Sequence, residues 1–193
     1  MNWLKISGLS GMLAPLIAFT LILLSIAYSP SFSCTENALS DLGVQEGATA
    51  VLFNTGLVVS GVLAIFFATG LFTFLKENLS GRIGAFVFVL DAVALTAIGV
   101  FPENVKPIHY YVSVIFFTFF PTSMFILGAA FLRTSKMKLG FFTFINAIVA
   151  AIVWTIPFGE GVAIPEALSA LSASMWSIVL SFKMLKEGAH SSN

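Results

Sequence analysis

Cysteine occurs once in this chain, at Cys34, and histidine twice, at His109 and His190. A lone thiol forms no intramolecular disulfide, and so few thiol and imidazole groups exclude a cysteine-rich metal site. Charge is scarce as well. Only 9% of the 193 residues are Asp, Glu, Lys or Arg, against about a quarter in a soluble domain. The nine basic and nine acidic side chains cancel, so the chain as a whole has no attraction for nucleic acid or for acidic partners. No linker is present either, and a single domain over residues 1–193 is expected.

What the chain has instead is apolar bulk. Hydrophobic residues make up 58% of it and phenylalanine occurs 21 times, too much to hide on one face of an amphipathic soluble bundle. A lipid solvent is required. Apolar stretches fall at about 8–28, 51–75, 82–100, 109–132, 139–156 and 164–185. Each has roughly the 17 to 25 residues that carry a helix across about 30 Å of hydrocarbon. A membrane barrel would show alternating segments of about ten residues instead, so the fold class is all-α: six transmembrane helices in an antiparallel bundle. The first stretch follows Lys5 as a signal peptide would, but it is too long and lacks a small-x-small cleavage site before Tyr28, which makes it a retained helix.

The loops orient the bundle. With a cytoplasmic amino terminus, Lys5, Lys76, Arg82, Arg133, Lys136, Lys138, Lys183 and Lys186 fall inside and Lys106 alone falls outside. This is a strong positive-inside bias, and it predicts a cell-membrane protein with both termini cytoplasmic. Glu36, Asp41, Glu46, Glu103, Glu160 and Glu166 gather outside. Short inside turns at 77–81 and 134–138 make consecutive helices neighbours. Pro107 and Pro165 suit first helical turns, Ser80 and Gly81 precede the third span, and Pro15 and Pro121 predict kinks. Trp3, Tyr28, Tyr110, Tyr111 and Trp154 suit interface anchors. Gly56 with Ser60, and Ser169 with Ala173 and Ser177, let backbones approach closely; packing within one chain is favoured over a homo-oligomer seam.

The first outside loop, 29–50, carries the densest polar pattern. Ser33 and Glu36 have capping-box spacing, and a short interfacial helix from about Thr35 to Leu42 is predicted to end at Gly43 in a left-handed cap. Asn37 and Asp41 would then share a face, with Glu36 and Ser40 on the adjacent row. The run Asn37-Ala38-Leu39-Ser40-Asp41-Leu42-Gly43, followed by Phe53-Asn54, Phe101-Pro102-Glu103 and Ile108-His109-Tyr110, resembles the uncharacterised six-helix membrane family called domain of unknown function 998, itself distantly similar to the Frag/DRAM/Sfk group. The resemblance implies a six-helix bundle and brings no activity with it. It also points to Asn37, Ser40, Asp41, Glu103 and His109 as one outer polar cluster.

Three functions are compatible with these residues. A cavity opening outward between helices would bind a lipid or other amphiphile, with first-loop groups orienting its headgroup and membrane lipids as partners. A membrane enzyme acting on lipid would use His109 or Asp41 as acid or base, and requires His109, Asp41 and Glu103 to converge. A small proton-coupled transporter would use Asp91, which stands near the bilayer midplane, where a carboxylate costs at least about 2.5 to 3.5 kcal/mol unless protonated or paired. Asn146, at similar depth in the fifth span, is its expected partner, with Ser60 and Ser174 as further candidates. No internal repeat supports transport. The acidic residues match no metal-ligand spacing, so neither a metal nor a cofactor is expected.

Overall fold

The computed structural model describes residues 3–76, 78–134 and 136–190. Six long helices account for most of it: α1 (Trp3–Ala27), α2 (Ala48–Phe74), α3 (Leu79–Val100), α4 (Ile108–Arg133), α5 (Met137–Ile152) and α6 (Ala163–His190). Two short 3-10 helices, Leu39–Val44 and Val153–Thr155, lie in the first and last connections on one side. With the second of these counted into α5, all six are long and apolar enough to cross a membrane. Pro15 and Pro121 lie inside continuous helices.

Each helix packs against the next in the chain, and α6 returns to α1, so the six close into a ring. Six crossings put both chain ends at the same end of the ring, here called the terminal end. The connections 28–47, 101–107 and 153–162 form the other, acidic end. Glu77 and Ser135, in the two turns expected at the terminal end, lie outside the described residues. The third helix starts earlier than expected: Asn78, not Ser80, caps it, its side chain accepting from Gly81 N at 2.9 Å. The sixth helix runs beyond the expected end of its span, to His190.

The arrangement of polarity is inverted relative to a soluble bundle. Leu23, Val51, Ile145 and other bulky apolar side chains are exposed on the outer surface, while Ser7, Ser25, Ser123 and Thr143 are fully buried. Lipid tails leave no hydrophobic drive between helices, so interhelical hydrogen bonds and close backbone packing hold the ring. Ser60 Oγ donates to Ala14 O at 2.9 Å between α2 and α1, and Ser172 Oγ to Asn146 O at 2.9 Å between α6 and α5. Asn78 Nδ2 donates to Ala130 O at 3.2 Å between α3 and α4. Small residues bring helices of the chain together: Gly56 receives Leu21 of α1, and Ser169 Oγ donates to Ala150 O at 3.0 Å. At Gly61 a side chain would run into the backbone of Thr96, which explains the close approach of α2 and α3 there. At mid-height the rings of Phe67, Phe88 and Trp176, from α2, α3 and α6, stand 5.4–5.8 Å apart in edge-to-face and tilted contacts.

Candidate functional site

The first connection folds over the acidic end of the ring and plugs it. Leu42 is fully buried among Ile22, Phe53, Leu57 and Ile98. Burying the plug's backbone requires partners for its N–H and C=O groups, and the surrounding helices supply them. Leu39 N donates to Glu166 Oε2 of α6 at 2.6 Å, Ser40 Oγ to Glu103 Oε2 at 3.2 Å, and Asn54 Nδ2 of α2 to Gly43 O at 2.8 Å. The preceding strand of loop is tied to the last connection: Gly161 N donates to Thr35 O at 2.8 Å and Ala163 N to Asn37 O at 2.9 Å.

This local structure corrects the expected helix from Thr35 to Leu42. The Asn37 side chain accepts from Ser33 N at 2.9 Å and donates to Asp41 Oδ2 at 2.9 Å, and the same carboxylate oxygen accepts from Ala38 N at 3.0 Å. Asn37 and Asp41 thus stabilise a turn that delays the helix to Leu39 and leaves it in 3-10 form. Gly43 does not adopt the left-handed cap; the glycine with positive φ is Gly47, at 72°.

Of the five residues expected in the outer cluster, Asn37, Ser40, Asp41 and Glu103 meet on the plug. His109 does not join them. Its Nδ1 donates to Phe101 O at 2.8 Å, since a carbonyl only accepts, and its Nε2 is then left to accept from Ser113 Oγ at 3.3 Å. Both ring nitrogens are engaged, and the convergence of His109 with Asp41 and Glu103 that a membrane enzyme acting on lipid would need is not formed. The residue that does complete the cluster is Glu166, near enough to Asp41 and Glu103 for the three carboxylates to feel one another's charge. In the sequence an acid in the first turn of a helix is sufficiently explained by the helix dipole, which hid this second role.

Beneath the plug lies a cavity of about 130 Å³. Its walls come from α1, α2, α3, α4 and α6, with Leu39 and Ser40 as its roof. Most of the wall is apolar; Phe67 and Phe88 form the floor, and Glu166 and Ser113 stand at the acidic end. Asp91 lines it at mid-depth. This carboxyl is only 3% exposed, and its Oδ1 has no hydrogen-bond partner. The pairing with Asn146 is not made, because Asn146 lies on α5, which contributes nothing to the cavity wall. Its Nδ2 donates to Phe142 O at 2.8 Å, and its Oδ1 accepts from Ser172 Oγ at 3.0 Å. Ser60 and Ser174 share the cavity with Asp91 but donate to Ala14 O and Ala170 O.

A second, shallower space of about 360 Å³ runs along the outside of α4 beside the start of α6, lined by Tyr110, Val114, Thr118, Trp154 and Val162. Ser113, Phe117 and Glu166 line both spaces. Phe117 therefore stands between them, its ring 4.7 Å from that of Trp154 in an edge-to-face contact.

A family profile described as Protein of unknown function (DUF998) matches residues 12–183. The chain belongs to the DUF998 family. The match takes in the plug, the lateral groove and the cavity walls except Gly11, so nearly all of the candidate site of this DUF998 member lies within the family region. It does not bear on the distant similarity to the Frag/DRAM/Sfk group. No curated protein and no solved structure matches the chain. Among the described residues of this DUF998 protein, no three His, Cys, Asp or Glu side chains converge into a group able to hold a metal ion.

Proposed function

We propose that this protein binds the apolar chain of a membrane amphiphile inside the helix ring and takes it up sideways from the bilayer. The observation that carries this reading is the cavity itself: a mostly apolar space within the membrane-spanning part, with Ser40, Ser113 and Glu166 at its acidic end, Asp91 deeper in, and the remaining serines, Ser60, Ser174 and Ser177, already donating to backbone carbonyls. Glu166 and Ser177, which bound it along α6, are eleven residues apart, giving a depth of roughly 16 Å at 1.5 Å per residue. That shape suits a chain rather than a compact polar solute. The plug closes the approach along the ring axis, whereas the groove between α4 and α6 faces lipid and shares three residues with the cavity. An amphiphile in the adjoining leaflet has the shorter route.

Filling the cavity tests this. Ala170→Phe and Ala173→Phe, on the wall formed by α6, are expected to lower retention of co-purified lipid at least tenfold in native mass spectrometry from mild detergent. Unchanged retention in both variants, with the folded protein intact, would overturn the proposal.

The acidic end faces outward in this reading, with both termini cytoplasmic in the cell membrane. Eight of the nine basic residues lie at the terminal end, the distribution that the insertion machinery keeps inside. Cys34, the one cysteine, is exposed on the first connection and serves as a natural reporter. A membrane-impermeant maleimide added to intact cells is expected to label it; labelling only after permeabilisation would reverse the orientation.

A further inference from the structure

We infer that the amphiphile carries a protonated amine headgroup, held at Glu166. The inference rests on the cavity-binding reading and adds the headgroup's chemistry. Apart from the Tyr110 phenol on the groove, every ionisable group facing the two adjoining spaces is a carboxyl: Glu166, which lines both, and Asp91 deeper in the cavity. No lysine, arginine or histidine lines either space. Eight of the nine basic side chains belong to the far end of the ring, and His109 is turned to Phe101 and Ser113. Asp41 and Glu103 lie near enough to Glu166 to add to the negative field there. Deeper in, the buried Oδ1 of Asp91 is an acceptor without a donor, so the cavity as a whole is rich in acceptors and poor in donors. An anionic phosphate or carboxylate headgroup would meet repulsion and find no cation lining either space, since Lys106, the one basic residue at this end, belongs to neither lining. A bound metal ion does not supply the missing charge, because these carboxylates do not converge into a metal-holding group among the described residues. A protonated amine supplies both charge and N–H donors. Glu166, in the first turn of α6, lies near the membrane surface, where an amine stays solvated while its chain extends toward Phe67 and Phe88.

The test uses three amphiphiles of one chain length, dodecylamine, dodecanol and dodecanoate, with the full protein in lipid nanodiscs at neutral pH. Binding is read by competition against a fluorescent dodecyl probe. The amine is expected to bind at least tenfold more tightly than the carboxylate, and Glu166→Gln to abolish that preference while leaving dodecanol unchanged. Gln keeps an oxygen for Leu39 N, so the plug stays pinned in this variant. Asp91→Asn is expected to weaken the amine's preference by a smaller factor. If all three bind alike, or if the amine's advantage survives Glu166→Gln, the headgroup assignment is wrong while cavity binding stands. If none displaces the probe, both fall.

Discussion

Replacing Trp176 with alanine is expected to destabilise the bundle by about 3–5 kcal/mol, the cost of emptying a large, well-packed core site. Trp176 is fully buried, and its ring packs against Phe67 and Phe88, the two residues that form the cavity floor. The indole also donates from Nε1 to Thr143 Oγ1 at 3.1 Å, joining α6 to α5. Trp176→Phe separates the two contributions. It keeps one aromatic ring on the floor and removes the hydrogen bond together with the indole's second ring, a loss of about 1–2 kcal/mol, since Thr143 still donates to Leu139 O at 2.7 Å. Thermal unfolding in mild detergent, followed by the fraction surviving size-exclusion chromatography, reads both. Equal losses in the two variants would mean that the hydrogen bond, not ring packing, holds the floor.

Gly161→Val is expected to open the plug. A Cβ at position 161 would overlap the backbone of Asn37, and backbone cannot swing aside as a flexible side chain does. The loop must move, and with it go the hydrogen bonds from Gly161 N to Thr35 O and from Ala163 N to Asn37 O. Overpacking of this kind costs about 1–3 kcal/mol. Here the loss should concentrate at the acidic end, so limited proteolysis between residues 30 and 47 is expected to accelerate far more than global unfolding. Glu46→Gln provides the control: this side chain is exposed on the same connection and the change keeps its shape, so proteolysis should be nearly unchanged. Similar protection in Gly161→Val and the parent protein would show that the two connections are not clasped in solution.

These expectations depend on contacts that differ in how far they were legible in the chain. The i and i+4 relation of Asn37 and Asp41 was visible as spacing, and the two side chains do meet. The α-helix inferred from that spacing is absent, because the same side chains bond to Ser33 N and Ala38 N and hold the backbone in a turn. Asp91 was conspicuous as a carboxylate at bilayer depth, yet its pairing with Asn146 failed. Depth along a helix follows from residue counting. Azimuth around the ring does not, and Asn146 is turned toward Ser172 of α6. Glu166 had the opposite fate: its sequence role as an acid at a helix start was complete in itself, and only the docking of Leu39 against it made it part of the site.

Composition and the lengths of apolar runs determined by themselves that this chain lives in lipid as six helices, because hydration energy and bilayer thickness act on each segment separately. The positions of proline, glycine and charge likewise gave most helix ends to within a few residues. Which faces meet was decided only by tertiary structure. In lipid nearly every helix face is apolar, so hydrophobic patterning carries little information about partners, and the choice passes to small residues and single hydrogen bonds between segments far apart in sequence. The plug, the cavity excluding α5 and the convergence of Glu166 with the first loop all arise at that level.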